Sequence, residues 1–398
     1  MSVKYHQRTE DAHQLIPPRG YTDVRYFELE QDLLFGRTWM YAGMVDDVSQ
    51  PGDYVTVQAG RFPLAIVRGQ DGKLRAFHNL CRHRGTQFLE GCGNSERGLQ
   101  CPYHKWFYEL DGRLKAVPRE DLLFPNVQKE ELGLIPASLG EFRGMLFIHP
   151  DENPNESWSD FCADLELKVG PHHPDKMVET GRSRHLFPAN WKLVAENYMD
   201  AYHLFYLHER SAATFDHERF DWDTAGRHFL FYEPVVEKYK DWADKVYGDK
   251  NLGVVPGTDP ETYGGTFHML FPTIGWVGMA HSWSTFHIIP QSVDSTIVES
   301  RVRVMPEAQE AMKASRRYEE RFNKGDDAVV TLADCPTHPT ESDNLMFEDM
   351  WACQQMQRAM GSPAYQVGAM ARTFESTMTF YQRNILDFVS YSANEETL

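Results

Sequence analysis

Between Thr22 and Trp39 the apolar residues Tyr26, Phe27, Leu29, Leu33, Leu34 and Trp39 recur at helical spacing. With Thr22 or Asp23 available as a cap, they predict an amphipathic helix. From Asp53 the pattern shortens to strands: Tyr54–Val57, Leu64–Val67 and Leu74–Phe77, separated by turn signals at Ala59-Gly60 and Gln70-Asp71-Gly72. Phe107–Leu110 and Arg113–Val117 flank Asp111-Gly112 as a hairpin, and Gly144–His149 is a further strand closed by Pro150. This run of short strands predicts a small all-β domain, followed by a Pro/Asn-rich linker from Pro150 to Pro154. The pattern is then mixed. Trp191 to His208 is compatible with a helix. Thr266–Phe271, Ser284–Ile289 and Thr296–Val304 read as strands, and Glu307–Lys324, Asp343–Met360 and Thr373–Ser390 as helices. The second part is therefore expected to be α+β, an antiparallel sheet covered by helices.

The 398 residues suggest two domains or more, and 41% hydrophobic with 25% charged residues is an ordinary globular composition. A net charge of -18 lacks the basic footprint that nucleic acid requires. The first residues lack the apolar core of a signal peptide, and no apolar run is long enough to span a bilayer, so a cytoplasmic protein is expected. Six cysteines in so long a cytosolic chain are no disulfide framework. Cys92, Cys162, Cys335 and Cys353 have no ligand-like spacing.

Cys81 and Cys101 differ. Cys81-Arg82-His83 and Cys101-Pro102-Tyr103-His104 form C-x-H-x17-C-x2-H. Two loops, each offering one thiolate and one imidazole, can grip a metal between them. A four-ligand zinc site is the plain alternative, but zinc fingers usually place both cysteines before both histidines. One thiolate and one imidazole per loop suits a cluster of two unlike irons, one held by the cysteines and one by the histidines. With Trp106 and Tyr108 following, these residues resemble the Rieske motif, C-x-H-R-G … C-x-Y-H-G-W-x-Y. His83-Arg84-Gly85 matches its first half, while Lys105 stands where the family usually has glycine. The Tyr103 hydroxyl and backbone N–H groups are candidate donors to the cluster sulfurs.

A second constellation, Asp200-x2-His203-x4-His208, is distinct from the H-E-x-x-H of zinc proteases. Histidines five apart lie about 140° apart on a regular helix, so they share a metal only if the helix kinks or ends between them. Two imidazoles and one carboxylate, leaving open positions, are the ligand set of non-haem Fe(II) oxygen activation. Asp349 is the best candidate for the carboxylate, with Glu348, Asp343 and Glu341 as competitors. Asp200, three residues before His203, is placed to hydrogen-bond that imidazole from behind rather than to serve as the distant third ligand.

Glu196 to His208 also resembles the Rieske oxygenase family, and the Asp349 segment does so more weakly. The resemblance spans nearly the whole chain. It implies a helical N-terminal segment (1–40) packed on the catalytic domain, a Rieske [2Fe–2S] domain (41–155) and a catalytic mononuclear iron domain (156–398). It implies cluster ligands Cys81, His83, Cys101 and His104, and Fe(II) ligands His203, His208 and Asp349. Asp200 would couple the two centres, because the family forms a homotrimer in which one subunit's cluster lies beside its neighbour's iron. A β subunit is an open addition. The expected activity is O2-dependent mono- or dioxygenation of an aromatic or cyclic organic substrate, or else oxidative demethylation. Electrons would come from a separate NAD(P)H-dependent reductase, with or without a ferredoxin, since no flavin or nicotinamide motif is apparent. Two rivals each leave one constellation unexplained: a Rieske electron carrier does not need the second, and a metal hydrolase does not need the first. Met199, Leu204, Phe205, Tyr206, Phe267, Met269, Phe271, Trp276 and Phe286 are candidate pocket residues, with an ordinary core as the alternative. Arg82, Arg84 and Lys105 are candidates for a positive docking patch around the cluster, or for internal bonds to its loops.

Overall fold

A computed structural model describes residues 11–237, 253–259, 262–314 and 328–391. The chain divides into two compact units, Glu30–Phe161 and Met1–Leu29 with Cys162–Leu398.

In Glu30–Phe161 the strands are β1 (Met40–Met44), β2 (Asp53–Ala59), β3 (Phe62–Arg68), β4 (Leu74–His78), β5 (Cys92–Asn94), β6 (Leu99–Gln100), β7 (Phe107–Tyr108), β8 (Leu114–Ala116), β9 (Pro136–Phe142) and β10 (Met145–His149). They form a seven-stranded sheet, ordered β1-β10-β9-β4-β3-β2-β5, and a three-stranded sheet, β6-β7-β8. The all-β expectation holds here. Ala65, Val67, Phe77, Phe88, Leu99 and Leu114 form a core that also takes in Cys81, Cys101, Trp106 and Tyr108. The two cysteine loops thus rest directly on that core.

The other unit contains an eight-stranded sheet of β11 (Val178–Phe187), β12 (Asp221–Ala225), β13 (His228–Glu233), β14 (Gly265–Leu270), β15 (Ile274–Gly278), β16 (Trp283–Ser292), β17 (Ser295–Val304) and β18 (Val329–Val330). Its order is β12-β13-β14-β15-β16-β17-β11-β18, antiparallel except for the short β11–β18 pair. The helix Trp191–Met199 packs on β16 and β17, and against the helices Leu345–Met360 and Ser376–Leu386. The residues before Leu29 are tied into this unit by buried polar bonds. The Tyr21 hydroxyl donates to Glu196 Oε1 (2.7 Å), and the Gln382 amide donates to both Tyr21 and Glu196.

Three helical expectations change. Thr22–Trp39 is not one helix: Asp23 is extended (φ -94°, ψ 120°) between Arg19–Thr22 and Val24–Glu30, and a π-turn at Gln31–Phe35 runs out at Gly36. Trp191 to His208 is helical only as far as Met199. Of Glu307–Lys324, Gln309–Lys313 is helical, and the part beyond 314 lies outside the described residues.

Candidate metal centres

The Cys81 and Cys101 loops are the same turn built twice. Cys81 N–H donates to Thr86 O (2.8 Å) and Gly85 N–H to Cys81 O (2.8 Å). Cys101 N–H donates to Trp106 O (2.9 Å) and Lys105 N–H to Cys101 O (3.0 Å). The fifth residue of each turn has a left-handed backbone, Gly85 at φ 71° and Lys105 at φ 61°. That conformation costs a non-glycine residue about 1 kcal/mol or more, which is why a glycine suits the position Lys105 fills. His83 and His104 leave these turns with their Nδ1 atoms 3.2 Å apart. The His83 ring stacks on Trp106 (4.9 Å, 10°) with Phe124 edge-on. Burial, and the His104 and Arg84 charges, keep His83 below its usual pKa and hence neutral. Two Nδ1 atoms turned toward one another suit an electrophile between them, and the two buried cysteine sulfurs can supply the other half of a cluster's ligands.

The hydroxyl within hydrogen-bond distance of sulfur is that of Tyr108 rather than Tyr103. The Tyr108 hydroxyl lies 3.3 Å from Cys81 Sγ and accepts from the Arg82 N–H (2.9 Å). Tyr103 is 58% exposed, with its ring against His104. Burial pushes the Cys81 thiol up, the Tyr108 hydrogen bond opposes this, and the neighbouring Cys101 adds to the rise. The Arg82 guanidinium donates to Gly133 O (2.7 Å), while Arg84 and Lys105 remain on the surface.

In the other unit the helix Trp191–Met199 is capped by Asn190, whose side chain accepts from the Lys192 N–H. It ends at Asp200 (φ -75°, ψ 114°), because the Ala201 N–H turns to Phe374 O (3.2 Å) and the Thr377 hydroxyl takes Met199 O (2.9 Å). This break satisfies the geometric condition on His203 and His208. A short 3₁₀ turn, His203–Phe205, follows, and the two imidazoles meet with centroids 4.9 Å apart.

Asp349 comes from the second turn of Leu345–Met360, a helix capped by Asn344. Its Oδ1 lies 3.0 Å from His208 Nε2 and 3.6 Å from His203 Nε2. One ligand atom from each of the three residues lies within 4.8 Å of the others, a group that can hold a metal. Burial alone would raise the Asp349 pKa, but His208 and His203 hold it well below the ordinary range.

The competitors lie elsewhere. Glu348 grips the far side of His208, its Oε2 2.6 Å from Nδ1 and 2.5 Å from the Ser211 hydroxyl. Asp343 pairs with Arg210 (2.7 Å), and Glu341 is exposed on a 3₁₀ turn. From sequence Glu348 stands only as a rival ligand; its adjacency to Asp349 is the available signal for a supporting role. Asp200 Oδ2 sits 3.1 Å from His203 Nδ1, and its Oδ1 accepts from the Tyr202 N–H. It thus lies behind the imidazole, away from Asp349. Burial disfavours the charged His203, yet Asp200 and Asp349 overcome this and push its pKa up to about 10. Asp349 thus faces both Nε2 atoms while Asp200 and Glu348 back the two rings, a donor set that suits a divalent cation.

Of the candidate pocket residues, Met199, Met269, Phe271 and Trp276 are buried core, and Phe286 stacks on Tyr198. Tyr206 is exposed, whereas Phe205 faces His217 and Phe374.

Residues 38–127 match the Rieske [2Fe-2S] domain, and residues 169–391 match the ring hydroxylating alpha subunit (catalytic domain). The glycine betaine monooxygenase oxygenase subunit of Chromohalobacter salexigens is 28% identical, with 96% of this chain and 86% of that protein covered. The anthranilate 1,2-dioxygenase large subunit of Acinetobacter baylyi is 33% identical over 53% of this chain and 46% of its own. A solved quaternary ammonium Rieske monooxygenase, described for carnitine oxidation, shares the fold with a TM-score of 0.76 at 21% identity, covering 95% of this chain and 96% of its own. With the catalytic-domain match spanning more than half of its length, the chain belongs to the ring-hydroxylating alpha-subunit family, the Rieske oxygenases that carry a [2Fe–2S] cluster and a mononuclear iron.

Proposed function

We propose that this oxidoreductase is the terminal oxygenase of a cytoplasmic multicomponent system that oxidatively demethylates a small quaternary ammonium compound. The observation that carries the reading is the likeness over nearly the full chain to a glycine betaine monooxygenase subunit, joined to a site with the two donor sets such chemistry needs. A separate NAD(P)H-dependent reductase, with or without a ferredoxin, supplies electrons. Cys81, His83, Cys101 and His104 would hold the cluster, and His203, His208 and Asp349 the iron. Together these groups supply one-electron transfer and O2 activation when bound.

The chain's own residues do the positioning. Glu348 fixes His208 and Asp200 fixes His203, each through the ring nitrogen turned away from Asp349. Asp200 also couples the two centres across a subunit boundary of a homotrimer. No helix of the described residues is long and apolar enough to cross a membrane. A second reading, oxygenation of an aromatic acid, is favoured by the anthranilate dioxygenase likeness, which covers only about half of the chain.

The holoprotein should contain three irons and two acid-labile sulfides per chain; stoichiometric zinc without sulfide would refute the cofactor assignment. With reductase and NADH, O2 uptake with glycine betaine or carnitine should release one formaldehyde per O2. Coupled uptake with anthranilate and no formaldehyde would assign the second reading instead.

A further inference from the structure

One buried polar pair near the iron ligands has no part in the scheme above. The segment Thr214–His217 is pinned beside the end of β13: Phe215 bridges to Val235, Asp216 N–H donates to Pro234 O (2.8 Å) and Val236 N–H to Thr214 O (3.1 Å). This brings His217 Nδ1 into a short hydrogen bond with Glu233 Oε1. The Glu233 side chain is only 4% exposed and that of His217 11%. His217 Nε2 is buried and has no hydrogen-bond partner among the described residues. The Phe205 ring, two residues after His203, stands edge-on to His217 at 5.6 Å. Phe374 and Phe220 continue that wall. Burial pushes the Glu233 carboxyl above its ordinary range, and the His217 hydrogen bond opposes that rise.

With Nδ1 engaged by Glu233, Nε2 is the ring nitrogen left to meet a ligand, and when it carries a proton it is a directed donor. A buried donor without a partner is costly, and the cost is relieved when a ligand supplies an acceptor. Glycine betaine, carnitine and anthranilate, the compounds named for the relatives, share one charged group, a carboxylate. Two of them carry a fixed cation and the third does not. The phenylalanine wall accepts either a methylated ammonium or a flat ring.

We infer that His217, oriented by Glu233, binds the carboxylate of the substrate through Nε2 and so selects for small amphiphilic acids over their uncharged analogues. This rests on the oxygenase reading above and names the substrate class that reading leaves open.

The test uses anaerobic, fully loaded holoenzyme and isothermal titration. Glycine betaine is compared with its primary amide, and anthranilate with anthranilamide. The wild type should bind the acid of one pair roughly 10- to 100-fold more tightly than the amide, the range for one hydrogen bond to a charged group. His217→Gln and Glu233→Gln, checked for unchanged iron and sulfide content, should bring that ratio close to one. The pair that shows the ratio identifies the source as a betaine or an aromatic acid. An undiminished ratio in both variants, or a wild-type ratio near one for every pair, overturns the inference, even if turnover shows the oxygenase reading to be right. His217-dependent binding of the acids without coupled O2 uptake upholds the inference and overturns the demethylase reading. Binding of none of the four compounds overturns this assignment of the substrate class.

Discussion

Replacing Glu348 by glutamine tests whether the far side of a metal-binding histidine is set by a buried carboxylate. Glu348 Oε2 and His208 Nδ1 are 2.6 Å apart, with side chains 2% and 1% exposed. Glutamine keeps the shape and can still accept a hydrogen bond, so the change removes charge while leaving the packing in place. A carboxylate behind a ligating imidazole fixes the ring and raises its basicity, and losing such a partner typically weakens metal binding about 10- to 100-fold, or about 1.4–2.7 kcal/mol. The Ser211 hydroxyl, 3.3 Å from the same nitrogen, is a neutral fallback acceptor, which places the expected loss toward the lower end. The assay is anaerobic competition for Fe(II) against a calibrated chelator, with the cluster absorbance of the same sample as an internal standard. Asp349→Asn, which removes the carboxylate facing both Nε2 atoms, should lose iron altogether. Two results would refute the reasoning. Unchanged affinity in Glu348→Gln would mean that the short contact does not tune His208. Loss of iron in Glu348→Gln with retention in Asp349→Asn would make Glu348 the ligand.

Asp200→Asn should keep both metal centres and accept an electron at the cluster, yet oxidise the prereduced cluster very slowly once O2 and substrate are added; stopped-flow oxidation at the wild-type rate would remove Asp200 as the coupling group. Tyr108→Phe deletes the hydroxyl beside Cys81 Sγ and should lower the cluster's reduction potential in protein-film voltammetry, whereas Tyr103→Phe should leave it unchanged. Lys105→Gly should raise the cluster domain's stability by up to about 1 kcal/mol in thermal melts, since it relieves a left-handed backbone at φ 61° while loosening the unfolded chain. Glu196 is fully buried, and burial pushes its pKa from 4.5 to about 7 against the Tyr21 and Gln382 hydrogen bonds. Because this pKa is raised on folding, its contribution to stability is complete below about pH 4.5 and falls by up to about 3 kcal/mol as the pH climbs through 7. Glu196→Gln should therefore flatten the difference in melting temperature between pH 5 and pH 8.5, and an unaltered pH profile would show that Glu196 is ionised throughout.

The cluster loops were legible in the sequence because each is local. Within one tight turn, Cys81 and His83, or Cys101 and His104, are brought together by backbone bonds that depend on little outside the loop. The alternation of short strands before Pro150 and the apolar runs of the second part likewise announced an all-β domain and an α+β one, since half-buried sheets impose their own period. His203 and His208 were visible as a pair, but the geometry allowing them to meet was not. The helical pattern runs on past Met199, and the chain turns there because Phe374 and Thr377, far along the sequence, take the hydrogen bonds at its end. The choice between Glu348 and Asp349 was equally out of reach. Neighbours on a helix point about 100° apart, and only the seating of Leu345–Met360 against Trp191–Met199 decides which carboxylate meets Nε2 and which meets Nδ1. The pairing of His217 with Glu233, sixteen positions away, depends on how one segment lies beside the end of a strand. Sequence alone determined the donor types, the local loops and the period of each element, because these depend on neighbours in the chain. Tertiary structure decided where a helix stops, which of two adjacent acids meets Nε2 of His208 and which polar pair is buried near His203, because these depend on hydrogen bonds and packing between residues far apart in the chain.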